Sequence, residues 1–479
     1  MKKQADQYLT PFFSELLRYL EQGKTGFHTP GHRGGISWGE RWQPTDLPKI
    51  DLTEISGLDW ERAKNDAEGL AAEFYHADRS FFLVQGATQG LHAAMLGCFN
   101  PGDQVLIARN CHSSVYHGLI LADLFPVYID VDYVPGWGLP EGVNLIALQQ
   151  AVKDYPDAKG IILTNPTYQG IATRVEDFRK IIGERILIID EAHGGHFDWW
   201  GKPDYSAYKA ADLWIHGTHK FLGSLTQTGF LHLKGTRVDP EKIDRSLQWI
   251  STTSPSFILM ASLDLNRAFL AEKGQALFNR SLNQVIELKL ACASMPGVRV
   301  LLDKDIVSRE RTVDPWRLSC SWLGTGLTGY EVDQVLREQW DIQVEYADYN
   351  QVTMLLPPWQ PENDLQQLVE AFQKMAESNT GKHQRDPLEF RMPVGPVEVA
   401  PRKIAFAETR LVTFEAAVGQ IAAEAIAPYP PGIPLVGPGE RITREMIEVL
   451  RNIQRAGGVI RGMNVRGEIK ISCIEDNHG

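Results

Sequence analysis

Between residues 81 and 233 the chain alternates short apolar runs with longer stretches of helical spacing. Six runs, at 81–84, 105–108, 161–164, 186–189, 213–215 and 230–233, are rich in β-branched and large apolar residues and have strand length. Between them, Leu91, Met95, Cys98 and Phe99 share one helical face, as do Phe178, Ile181 and Ile182. This alternation predicts an α/β fold: a mostly parallel sheet with helices on both faces, which binds its ligand at the carboxyl ends of the strands. Upstream, Phe12, Phe13, Leu16, Leu17 and Leu20 predict a helix over Pro11–Glu21, an arm that packs on its own core or on a partner subunit. Downstream, a shorter α/β section runs from about 305 to 378, with a helix opening at Gly329 and a strand at 352–356. The polar stretch 377–387 reads as a linker, and a third section carries the loop Pro428-Tyr429-Pro430-Pro431-Gly432-Ile433-Pro434. The expected organisation is an arm and loop over 1–50, a large domain over 51–304, a small α/β domain over 305–378 and a C-terminal domain over 379–479.

Composition narrows the class. A chain of 479 residues is too long for one core, and 43% apolar with 23% charged residues is ordinary for a globular protein. The net charge of −12 argues against a nucleic-acid partner, which needs a basic surface. Five scattered cysteines without a CxxC pair fit reduced thiols in a cytoplasm, not a disulfide framework or a zinc knuckle. Residues 1–10 are polar, unlike a signal peptide, and no run of 18 apolar residues predicts a membrane span.

Candidate chemistry sits at strand ends. The run 186–189 ends in Asp190, and the run 213–215 leads through His216-Gly217-Thr218-His219 to Lys220. A pyridoxal phosphate enzyme needs this pair: a lysine to form a Schiff base with the aldehyde, and a carboxylate to keep the pyridine nitrogen protonated. A lone lysine is more often a solvated surface group, but the flanking Thr218-His219 and the uncharged 221–228 raise the odds here. Gly86-Ala87-Thr88-Gln89-Gly90, between a strand and a helix, can present free N–H groups to a phosphate. His112, also after a strand, can stack on a flat ring or move protons. The HxxH spacings His193/His196 and His216/His219 raise a metal site, but Gly194-Gly195 makes a poor helix and no third ligand joins, so no metal is expected.

At this point the chain resembles the ornithine/lysine/arginine decarboxylases of the pyridoxal phosphate fold-type-I superfamily, in their shorter bacterial form. The likeness rests on Phe27-His28-Thr29-Pro30-Gly31-His32, Asp51-Leu52-Thr53-Glu54, Gly86-Ala87-Thr88-Gln89-Gly90, Arg109-Asn110-Cys111-His112 and Thr164-Asn165-Pro166-Thr167-Tyr168. It continues through Asp190-Glu191-Ala192-His193, Thr218-His219-Lys220 and the proline-rich loop at 428–434. The resemblance implies that Lys220 is the Schiff-base lysine, that Asp190 meets the ring nitrogen, that His112 stacks on the ring and that His193 lies nearby. It gives the phosphate to Gly86, Ala87, Thr88 and Thr218 or His219. It implies decarboxylation of a basic L-amino acid in polyamine metabolism by a homodimer or larger homo-oligomer, with Glu345 and Asp348 as candidate acids for the far end of a long cationic side chain.

Two positions depart from the family, Ala87 and Gly217, where it often carries serine. Each departure loses a hydroxyl, worth about 0.5–1.5 kcal/mol. Ser251, Thr252 and Thr253 are possible replacements, from a neighbouring subunit or their own. An aminotransferase or aldolase-type lyase shares the lysine and acid, and an idle regulatory relative is the remaining alternative.

Overall fold

Each apolar run forms a strand, shifted by a residue or two from the sequence reading. The computed structural model describes residues 5–22, 50–379, 381, 383–389, 391–429 and 432–473. The motif from Phe27 to His32 therefore lies outside the described residues. In chain order the elements are α1 (Pro11–Glu21), α2 (Trp60–Phe74), β1 (Arg79–Leu83), α3 (Gly86–Cys98), β2 (Gln104–Ala108), α4 (Ser113–Ala122), β3 (Phe125–Ile129), β4 (Val131–Val134) and β5 (Leu139–Val143). Then come α5 (Leu145–Asp154), β6 (Gly160–Thr164), β7 (Ile171–Thr173), α6 (Val175–Ile182), β8 (Ile186–Asp190), β9 (Leu213–His216), α7 (Thr218–Phe221), β10 (Gly229–Leu233), α8 (Pro240–Ile250), α9 (Phe257–Phe269) and α10 (Gln275–Ala293). They are followed by β11 (Arg299–Val300), β12 (Arg311–Val313), β13 (Arg317–Ser321), α11 (Gly329–Gln339), β14 (Tyr346–Ala347), β15 (Val352–Leu355) and α12 (Glu362–Ser378).

The chain divides into two compact units. The first combines Met1–Cys98 with Ile188–Leu277. Its strands lie in the order β1-β10-β9-β8. β8 and β9 are parallel, with Asp190 opposite Ile215. β10 runs antiparallel to both β9 and β1. The connection from β9 to β10 carries only the one-turn helix α7, too short for the crossover that a parallel return needs. The sheet is thus mixed here. Gly90 seats α3: a Cβ would stand 2.8 Å from Leu83 Cδ1 and 3.0 Å from Ile215 Cγ2, so only glycine lets the helix come this close to β1 and β9. The α1 arm packs on its own unit. Its Phe12 ring meets Phe257 edge-on at 5.4 Å, and the Phe12 and Phe13 N–H groups donate to Asp264 Oδ2 at 2.9 and 3.3 Å.

The second unit combines Phe99–Leu187 with Phe278–Gly479. It holds the parallel strands β6-β2-β3 and the antiparallel sheet β11-β13-β15-β14. The predicted helix at Gly329 is α11, started by a capping box between Thr328 and Glu331. Its C-terminal section builds a core around the helix Arg444–Arg455, which buries Met446, Ile447, Leu450 and Ile453. Among the described residues no helix is long and apolar enough to cross a membrane.

Candidate active site

The parallel pairing of β8 with β9 brings Asp190 and the turn to Lys220 to one end of the first unit. Asp190 is 6% exposed, and its Oδ1 accepts the Ala192 N–H at 3.2 Å. Among the described residues no basic side chain pairs with this buried carboxylate. Lys220 is half-buried in α7, and its Nζ stands 3.0 Å from His193 Nε2. Glycine at 217 leaves room for this lysine: a Cβ there would lie 3.3 Å from Lys220 Cδ and 3.1 Å from the Ala192 carbonyl. The serine that the family often carries would press on both.

The other residues of the turn are placed as follows. Thr218 is fully buried, and its hydroxyl accepts from Ser224 Oγ at 2.7 Å. Ser224 also lies 2.6 Å from Thr228 Oγ1, which closes a hydroxyl cluster. Neither Ser224 nor Thr228 stood out in the sequence, where the only signal was an uncharged segment. His219 Nδ1–H donates to the Thr228 carbonyl at 2.8 Å. Burial, aided by the Lys220 charge, pushes the His219 pKa down, and the neutral ring presents Nε2 as a lone pair. His193 and His216 bond to Lys220 and Glu191 respectively.

The turn at Gly86 opens α3. Gly86 has φ of +74° and its N–H donates to the Gln227 carbonyl at 2.6 Å. A left-handed residue is needed here to swing the chain from β1 into the helix. The N–H groups of buried Ala87 and half-buried Thr88 fall in the first helical turn, where no intrahelical acceptor exists. Gln89 folds back: its Oε1 accepts from the Val84 and Gln85 N–H groups, each at 3.2 Å, and its Nε2 donates to Ser251 Oγ at 2.6 Å. Ser251 is therefore tied to the turn of its own chain.

His112, Glu345 and Asp348 belong to the second unit. His112 is the N-cap of α4, and its Nδ1 accepts from the Ser114 N–H at 3.2 Å, with Ser114 Oγ at 2.9 Å. Accepting at Nδ1 puts the proton of the neutral ring on the second nitrogen. Glu345 is exposed and accepts from the Tyr168 hydroxyl at 2.7 Å. Asp348 lines a cavity of about 80 Å³ with Tyr330, Tyr349, Tyr429, Ile433 and Leu435. The structure thus separates two acids that the sequence left equivalent.

Burial raises the Asp348 pKa from 3.8 to about 6, against the hydrogen bonds from Gln351 and Asn350 that lower it. A raised carboxyl pKa means stability that is present below about pH 4 and lost as pH rises through about 6. Asp348→Asn keeps an oxygen for the Asn350 and Gln351 N–H groups. Relative to this variant, the wild-type urea midpoint is expected to fall between pH 4 and pH 6. Parallel midpoints across that window would show that the carboxyl is not perturbed.

Known proteins resemble the chain over nearly its whole length. Residues 10–321 match the family model "Orn/Lys/Arg decarboxylase, major domain", and residues 384–466 match "Orn/Lys/Arg decarboxylase, C-terminal domain". The chain is 32% identical to an arginine decarboxylase of Halalkalibacterium halodurans, over 95% of this chain and 96% of that protein. It is 31% identical to an arginine decarboxylase of Bacillus subtilis over the same shares. The crystal structure of the Francisella novicida lysine decarboxylase LdcF superposes with a TM-score of 0.84 at 19% identity, covering 98% of this chain and 81% of that one, and shows the same fold. With both family domains in order along it, the chain belongs to the Orn/Lys/Arg decarboxylase family.

Proposed function

We propose that this protein removes the α-carboxylate of a basic L-amino acid as carbon dioxide, with pyridoxal phosphate as cofactor and L-arginine as the first candidate substrate. The observation that carries the reading is Lys220, with Nζ 3.0 Å from His193 Nε2, together with a buried Asp190 that meets no cationic side chain among the described residues. The names of the two Gram-positive relatives support arginine. The reading places the amine product in polyamine metabolism and the protein in the cytoplasm as a homodimer or larger homo-oligomer.

The residues fit the cofactor. Asp190 would hold a protonated ring nitrogen through a charge-assisted hydrogen bond. Lys220 would be the covalent tether, and Gly86, Ala87 and Thr88 would cradle the phosphate at the start of α3, with Thr218 and His219 beside it. The family resemblance assigns His112 to the ring face. When bound, pyridoxal phosphate supplies an aromatic ring that takes up the electron pair released as carbon dioxide leaves.

The chain's own groups handle protons and orientation. Lys220 reacts only as the free amine, and His193 Nε2 is in hydrogen-bonding position to take its proton. The same two groups are placed to return a proton to Cα. Asp348, or Glu345 with Tyr168, would pair with the substrate's distal cation.

Carbon dioxide release measured side by side with L-arginine, L-lysine and L-ornithine tests the reading. Arginine is expected to turn over at least about tenfold faster than the others, a difference of about 1.4 kcal/mol, with agmatine as product. A keto acid in place of carbon dioxide would make it an aminotransferase.

A further inference from the structure

A chain of buried polar side chains crosses the first unit directly behind Asp190 and Lys220. Glu191 Oε1 accepts the Ala207 N–H at 2.7 Å, and Oε2 lies 2.8 Å from His216 Nε2. His216 Nδ1 lies 3.1 Å from His232 Nε2, and His232 Nδ1 lies 2.7 Å from Ser80 Oγ. None of the four side chains is more than 4% exposed. They come from β1, β10, β9 and the turn after β8. Glu191 follows Asp190, and His216 is the last residue of the strand that leads into the Lys220 turn.

All four ring nitrogens are engaged, so the chain has only two polarities. With Glu191 ionised, His216 must carry its proton on Nε2. His216 Nδ1 then accepts from His232 Nε2–H, and His232 Nδ1 accepts the Ser80 hydroxyl proton. A proton added to Glu191 reverses every link, and Ser80 becomes an acceptor. Two observations favour the first polarity. The Ala207 N–H donates to the carboxylate, and His232, wholly buried against Tyr75 and Trp214, is a poor place for positive charge.

We propose that this relay is a positioning device: ionised Glu191 and two Nε2–H imidazoles tie the end of β8 to the end of β9 and so hold Asp190 in register with Lys220. The positioning claim rests on the reading that Asp190 and Lys220 hold pyridoxal phosphate; the polarity claim does not. None of the four residues bonds to Lys220 or Asp190 side chains, so they act through the backbone. In Glu191→Gln the amide oxygen would keep the Ala207 N–H, leaving the amide N–H to face His216. Both rings would then switch to the Nδ1–H form.

The test is ¹⁵N NMR of histidine-labelled full-length protein, with signals assigned by loss in His216→Gln and His232→Gln. Nε2–H tautomers for both rings in the wild type, and Nδ1–H for both in Glu191→Gln, are expected. Nδ1–H or charged rings in the wild type would overturn the polarity. The wild-type reading does not use Glu191→Gln, so poor folding of that variant leaves it decisive. Ser80→Ala then serves as the second variant, expected to lower the Nε2–H population of His232. The positioning claim is read from the visible band of the protein loaded with pyridoxal phosphate. Its pH midpoint is expected to move by about one unit in Glu191→Gln, whereas a merely structural seam would leave it in place. A wild-type protein without any such band would instead sink the assignment of Lys220, with the tautomer result still standing.

Discussion

Lys220→Ala is expected to lower the rate of carbon dioxide release by at least about 10³-fold, with loss of the visible colour of the purified protein. The argument is chemical. The reaction needs a neutral amine at a fixed point, and His193 is placed to accept the proton that blocks it. Lys220→Arg is the sharper control. It restores the positive charge, but a guanidinium stays protonated in a protein and cannot act as the nucleophile. It is expected to be as inactive as the alanine variant. Because Lys220 is half-buried at the mouth of a turn, neither change should unfold the protein, which circular dichroism can check. A Lys220→Ala protein that keeps a tenth or more of wild-type turnover would end the assignment.

Glu440→Ala is expected to cost about 3–5 kcal/mol of stability, because it strands a buried guanidinium. Arg109 and Glu440 are both fully buried and form a bidentate pair at 2.7 and 2.9 Å. The remaining Arg109 donors go to the Leu435 carbonyl at 2.5 Å and the Pro393 carbonyl at 3.2 Å. The Tyr116 hydroxyl is also within reach at 3.0 Å. Without Glu440 the charge has only dipoles for company. Replacing both partners by apolar residues, as Arg109→Met with Glu440→Leu, should cost clearly less than Glu440→Ala alone. Denaturant midpoints for the three proteins check this, and a loss below about 1 kcal/mol in Glu440→Ala would show that the pair is not sealed from water. Arg109 lies three positions before His112, so the same pair steadies the segment that carries a proposed ring-facing residue.

Much of this was legible in the sequence. β1, β2, β6, β8, β9 and β10 were visible as apolar runs because burial on both faces demands unbroken apolar residues, whereas β3 and β7 were not singled out. α1 was visible with its exact limits because one face repeats every three to four positions. The hairpin of β4 and β5 was not. Pro135, Gly136, Gly138 and Pro140 interrupt any strand pattern, yet Trp137 is buried there and the strands pair around it. The antiparallel course of β10 was also missed, since strand direction depends on the connection and not on the run itself. His232 and Glu191 could have been found by one cue, a polar residue inside an otherwise apolar strand or strand end.

By itself the sequence determined the α/β alternation, the family, and the list of groups able to do the chemistry, because periodicity and residue type are local properties. Only the tertiary structure decided which groups meet. It chose His193 rather than His219 for Lys220, put Asp348 on a cavity and Glu345 in solvent, and set Glu440 against an arginine 331 positions away. Hydrogen bonds act over about 3 Å. Which side chains come that close is settled by packing across strands that spacing along the chain does not encode.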